Sequence, residues 1–161
     1  MDNKIEFFAP MEPPTRTEQQ HRVYIRNGRP IFVRDAKLRE AISQLEAAVE
    51  PYIPGEPINE PVYVKIIWLF PYRKTEKKSL IGEVIPKHTR PDIDNLNKNL
   101  LDCLNEKFIK DDSLIVRLTT EKAWYETPGI YVKIATIDPN IFAGKIEASV
   151  SKGYLHQKKE N

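Results

Sequence analysis

The sequence predicts an α+β fold, a single mixed sheet covered by two helices. Three observations predict it. The 161 residues fit one domain (1–161) and are too few for two. The β-prone and helix-periodic stretches follow one another as strands, helix, strand, helix, strands. No internal repeat or low-complexity tract interrupts them. A hydrophobic share of 40% beside 30% charged residues is that of a globular chain. No apolar run approaches the roughly 18 residues that read as a membrane span.

The segment "IEFFAP" has the aromatic and branched content of a strand, and the prolines of "MEPPTRTEQQ" make the next stretch a loop. In "HRVYIRNGRPIFVRD" two short β-prone runs flank Asn27-Gly28, a strong hairpin-turn pair. Asp35 suits the N-cap of a helix over "AKLREAISQLEAAV", where Leu38, Ile42, Leu45 and Val49 recur at helical spacing until Pro51 closes it. A Pro/Gly-rich link leads to "VYVKIIWLF", a largely buried strand stopped by Pro71. Leu96, Leu100, Cys103 and Leu104 form the apolar stripe of a second helix, from near Asp92 to near Asn105, which makes Cys103 a core thiol. "SLIVRLTTEKAWYE" and "GIYVKIATID" are two further strands around Thr127-Pro128-Gly129. From Lys145 the apolar residues thin out, so 145–161 reads as a flexible tail.

Several classes of function are excluded by composition. The N-terminus lacks a basic region followed by an apolar stretch, so the expected residence is cytoplasmic. One cysteine and three scattered histidines offer neither an internal disulfide nor a zinc site, which leaves oxygen as the ligand for any metal. The net charge of +2 hides a concentration: residues 73–90 hold Arg73, Lys74, Lys77, Lys78, Lys87 and Arg90 against two Glu, a local excess of +4. A solvated loop is the usual fate of such a segment. This one runs directly into the acidic stretch "RPDIDNLNKNLLDCL", so cations and carboxylates are neighbours, and a nucleic-acid backbone becomes the natural partner of the loop.

Asp92 and Asp94 have a plain reading as helix-capping acids. A second acidic pair, Asp111-Asp112, makes that reading incomplete. Asp94, Lys98 and Asp102 follow at i, i+4 spacing on one polar helix face. A helix of this length spans about 20 Å, and the seven steps from Asn105 to Asp112 reach roughly 23 Å if extended. "KFIKDD" can therefore run back along the helix and bring Asp112 beside Asp92 and Asp94. Three such carboxylates repel one another unless a cation joins them. Mg²⁺, or Mn²⁺, suits oxygen ligands and leaves positions open for phosphate, and Lys98 is placed to meet a phosphate oxygen.

At these residues the sequence resembles the RusA family of Holliday-junction resolvases, small metal-dependent endonucleases of the kind carried by prophages. The motif is "RPDIDNLNKNLLDCLNEKFIKDDS" together with the strand that ends at Lys122. The resemblance implies a mixed α/β homodimer in which Asp92, Asp94 and Asp112 are the catalytic metal-binding aspartates and Lys98 the catalytic lysine. It departs from the family's pattern at Glu106, where glycine is frequent, and at Leu114, where glutamine is. The function so implied is a Mg²⁺- or Mn²⁺-dependent, structure-selective endodeoxyribonuclease that resolves four-way DNA junctions. Its rivals are a junction-binding module with little or no cleavage, and a structural protein whose aspartates only cap a helix.

Overall fold

The computed structural model describes residues 3–15, 21–34, 36–76 and 80–157. Among these residues are seven strands and three α-helices: β1 (Lys4–Pro10), β2 (His21–Arg26), β3 (Arg29–Arg34), α1 (Ala36–Val49), β4 (Val62–Phe70), β5 (Ile85–Pro86), α2 (Ile93–Leu104), β6 (Ile115–Trp124), β7 (Gly129–Thr136) and α3 (Pro139–Gln157). Five strands make the main sheet in the order β1-β7-β4-β6-β5, and β2-β3 form a separate pair. The class is α+β with a mixed sheet, since β4 runs parallel to β6 and antiparallel to β7.

The central strand β4 alternates, with Val62, Val64, Ile66, Trp68 and Phe70 buried and the residues between them half-covered. That period of two puts one face of the sheet against the helices. Leu45 and Val49 of α1 and Leu96, Leu100, Cys103 and Leu104 of α2 complete the same core. Burial pushes the Cys103 thiol up to about 11, with Glu46 adding to the shift, as suits a thiol packed in the interior. At the hairpin turn Asn27 and Gly28 both take positive φ, 52° and 71°, the geometry that a two-residue connection between twisted strands demands.

Two features lie beyond the sequence reading and one differs from it. The strands before and after Thr127-Pro128-Gly129 are consecutive but not neighbours, because β4 lies between β6 and β7. The short strand β5, which pairs Ile85 and Pro86 with Trp124 and Ala123, is too brief to leave a periodic signal. Residues 145–157 continue helix α3 where a flexible tail is expected. The overlooked signal is Asp138-Pro139: the Asp138 carboxylate accepts from the N–H groups of Asn140 and Ile141 at 2.8 and 3.3 Å, and Pro139 occupies the first helical position. The N-cap expected at Asp35 lies outside the described residues.

The two covering helices share one direction. Glu46 near the end of α1 lies 3.7 Å from Lys107 just beyond α2, and Phe7 stacks on Tyr52 at 4.4 Å while it also meets Phe108 at 5.6 Å. Their C-terminal ends therefore lie together, and so do their beginnings. Helix α2 runs opposite to β6: Asn97 meets Thr120, and Pro91 meets Lys122. After α2, Glu106 adopts a left-handed φ of 63°. The strain of a side chain there is roughly 1–2 kcal/mol, more than the extra chain entropy of glycine, roughly 0.5–1 kcal/mol. Glu106→Gly should therefore raise the urea midpoint, by the equivalent of up to roughly 1.5 kcal/mol of stability, and an unchanged or lower midpoint would contradict this account of the helix exit.

Candidate active site

The head of α2 is built by contacts behind it. Asn97, 5% exposed, accepts from the Trp68 indole N–H and from the Thr120 hydroxyl, both at 3.0 Å, which fixes the first turns of the helix on β4 and β6. Lys122 donates to the carbonyls of Thr89 and Pro91 at 2.9 and 2.7 Å and so fixes the chain that enters the helix. Neither residue stands out in the sequence reading, where Lys122 only marks the end of a strand. Asn97 stands three and seven residues before Leu100 and Leu104, and an asparagine at stripe spacing is the signal that could have found it.

On the other side of the helix the charged groups are free. Asp92 occupies the N-cap position with extended backbone, yet its carboxylate makes no capping hydrogen bond. Asp92, Asp94, Lys98 and Asp102 are all exposed, and among the described residues none has an ion-pair partner within 4.0 Å. The capping explanation of Asp92 therefore fails on geometry, and Lys98 is not held by Asp94 or Asp102. At the far end, Asp111 accepts from the Ser113 N–H at 2.9 Å, and hydrogen bonding from the Ser113 side chain first and this N–H second draws its carboxyl below the ordinary range. Asp112, exposed beside it, makes no such bond.

Asp112 does not join Asp92 and Asp94 within one chain. The seven residue steps of β6 from Ile115 to Lys122 separate the two places by roughly 23 Å, and among the described residues no three acidic or ligating side chains of one chain form a metal cluster. The expected return of "KFIKDD" along the helix is blocked by its own apolar residues. Phe108 and Ile109, 0% and 1% exposed, enter the core directly after α2, and Lys110 N–H bonds the Ile58 carbonyl at 2.9 Å, so the chain is fastened at the far end.

A cationic cluster flanks the head of α2. The Arg73 guanidinium lies 4.3 Å from the centre of the Trp124 ring, Lys87 lies 5.0 Å from the same ring and 4.8 Å from Phe70, and His88 meets Trp124 edge-on at 5.5 Å. Loss of water lowers the Lys87 pKa, and the positive charges of Lys122 and Arg73 lower it further. Such mutual repulsion is relieved by an anion. Among the described residues Arg73 has one carboxylate partner, Glu76, at 3.0 Å, while Lys74 and Arg90 are exposed. Lys77 and Lys78 lie outside the described residues. The Tyr72 hydroxyl accepts from Gly82 N–H at 3.1 Å and lies 2.6 Å from the Glu83 carbonyl, which ties the basic loop at its base.

Comparison with known proteins extends this picture over most of the chain. Residues 10–135 match the family described as endodeoxyribonuclease RusA. The chain belongs to the RusA family. It is also 33% identical over 121 residues to the uncharacterized protein YqaN of Bacillus subtilis (strain 168), an alignment that covers 70% of this chain and 84% of that one. The RusA match takes in the hairpin, both covering helices and strands β4 to β6 with nearly all of β7, and ends just before α3. Among the described residues no helix is long and apolar enough to cross a membrane.

Proposed function

We propose that this RusA-family protein is a cytoplasmic, Mg²⁺-dependent endodeoxyribonuclease, with Mn²⁺ as an alternative ion, that resolves four-way DNA junctions as a homodimer. The observation that carries the reading is the exposed pair Asp92 and Asp94 at the head of α2, Asp92 without a capping hydrogen bond and both without a cationic side-chain partner among the described residues, with Lys98 one turn on and the Arg73–Lys87–Lys122 cluster alongside. The donor set fits a hard divalent ion, which takes carboxylate oxygens and keeps positions for water and phosphate. Asp92 and Asp94 of one copy, with Asp112 of a second, would hold it. When bound, the ion supplies charge for the scissile phosphate and acidifies water. The chain's own part is to place the strand: the cationic loop takes the DNA backbone, and Lys98 meets the phosphate oxygen on which charge develops.

The placement of Asp112 supports the dimer. Among the described residues, strand β6 is covered on its outer edge only from Lys122 to Trp124, by β5 and by the Lys87 N–H, which bonds the Lys122 carbonyl at 3.1 Å, and beyond that cover Val116 and Leu118 stay 43% and 41% exposed. An open apolar edge of this kind favours pairing with another strand. Two copies joined antiparallel with Leu118 opposite Leu118 would pair 115–121 of each strand and carry Asp112 of each toward the end of the other's β6 that β5 covers, the end where Lys122 holds Pro91 next to Asp92. The alternative register, Arg117 opposite Arg117, sets like charges together and is disfavoured.

The reading is tested by mapping nicks in a mobile four-way junction, a flap and a linear duplex, each with Mg²⁺ and with chelator. Paired, symmetry-related nicks in the junction, only with metal, are expected. Tight junction binding without any nick would leave a binding module, and no preference for branched DNA would leave a structural protein.

A further inference from the structure

The β2–β3 hairpin belongs neither to the core nor to the site above. It forms a two-stranded sheet of its own, and a lone hairpin in water is marginal. Its side chains are unusually bare: Ile25 is 80% exposed, Val23 54% and Tyr24 51%. The register sets Ile25 opposite Pro30 and Tyr24 opposite Ile31. One face of the ribbon therefore carries Val23, Ile25 and Pro30, and the other carries Tyr24, Ile31, Arg26 and Arg29. Around the turn Arg26 faces Arg29 directly, an opposition that destabilises a hairpin. Neither arginine has a carboxylate partner among the described residues. The stretch 21–34 holds four arginines and no acidic residue.

Position matters as much as charge. The hairpin leads straight into α1, whose beginning lies at the same end of the molecule as the beginning of α2, because the two helices end together at the Glu46–Lys107 contact. A bare cationic ribbon thus stands at the end that presents Asp92 and Asp94.

We propose that the hairpin tip is the branch-recognition element: it enters the opening where duplex arms meet, with Arg26 and Arg29 against converging phosphates and the Ile25 face against the end of a base pair. The proposal rests on the junction-nuclease reading. A two-stranded ribbon fits a groove of about 12 Å, but inside a continuous duplex an apolar wedge has to unstack a base step, at a few kcal/mol. At a branch the stack is already interrupted. A hairpin with this chemistry therefore gains more from a junction than from a linear arm. A second copy of the chain is a poor occupant, since it would bring four more arginines to the same place.

The test compares Ile25→Ser, Ile25→Phe and Arg26→Gln/Arg29→Gln with the parent protein, in chelator so that no strand is cut. Each is titrated with a four-way junction carrying 2-aminopurine at the branch and with a linear duplex of the same arm sequence. Ile25→Ser is expected to lower the junction-to-duplex affinity ratio at least about fivefold and to quench the branch-point fluorescence change, while Ile25→Phe retains both. The double glutamine variant is expected to weaken binding and flatten the salt slope by about 0.9 per lost phosphate contact. An unchanged ratio in Ile25→Ser overturns the proposal, as does a shift of that variant from dimer to monomer in sedimentation, which would assign the hairpin to a protein interface. If the parent protein itself does not distinguish junction from duplex, it is the junction-nuclease reading that falls.

Discussion

Asp94→Asn protein and Asp112→Asn protein, each inactive alone, should regain junction cleavage when mixed as heterodimers. Each substitution removes a ligand charge at nearly constant size, so each homodimer should lose at least about a hundredfold in single-turnover rate, roughly 2.7 kcal/mol of barrier. The structure sets Asp94 at the head of α2 and Asp112 at the foot of β6, roughly 23 Å away. If the site joins Asp92 and Asp94 of one copy to Asp112 of the other, a heterodimer carries one site with both lesions and one with none. Random pairing then restores roughly a quarter of the intact sites, and they cut one strand per encounter. If all three ligands came from one chain, both sites of the heterodimer would be dead. The reciprocal arrangement sharpens the test: the double variant Asp94→Asn/Asp112→Asn, paired with wild-type chain, leaves one lesion in each site and should be inactive as a heterodimer. Activity from that pairing, or none from the first, would refute the shared site.

The elements on which this test relies were legible in the sequence to unequal degrees. Helix α2 was plain, because Leu96, Leu100, Cys103 and Leu104 repeat at helical spacing and all four are buried. The hairpin was plain because Asn27-Gly28 accepts positive φ at both positions. The path from α2 to β6 was not. Chain length set an upper limit on how far "KFIKDD" could return, and reach says nothing about whether Phe108 and Ile109 prefer the core on the way. Order in the sheet was equally hidden, since the insertion of β4 between β6 and β7 depends on a parallel pairing of residues some fifty apart. Exposed polar residues were correctly assigned to the outer face of α2, yet the residues that aim that face, Asn97 and Lys122, act through single hydrogen bonds to distant partners. Periodicity records which side of an element is buried and carries no trace of such bonds.

Lys98→Ala is the second large effect, because the structure removes its ordinary explanation. A surface pair with Asp94 or Asp102 contributes about 0.3–0.5 kcal/mol at most, and here no such pair forms, although all three side chains are exposed on one face. Loss of the ammonium should therefore leave urea unfolding unchanged. Catalysis should respond differently: Lys98 lies one helical turn from Asp94, about 5–6 Å between Cβ atoms, so its four-carbon stem can bring Nζ to a phosphate held at the carboxylates. A cation that meets the phosphoryl oxygen as charge develops is felt in the rate of the chemical step more than in ground-state binding. Single-turnover cleavage at saturating junction and Mg²⁺ should fall at least about tenfold, or roughly 1.4 kcal/mol, with junction affinity in chelator changed by less than about threefold. Lys98→Arg should recover part of the rate, since it keeps the charge but spreads it over a planar group. Asp102→Ala, two turns from the head of the helix, is the control and should cleave at nearly the parental rate. Equal rates for Lys98→Ala and the parent protein would return the lysine to the solvated face, and a loss shared equally by Asp102→Ala would point to the helix surface as a whole.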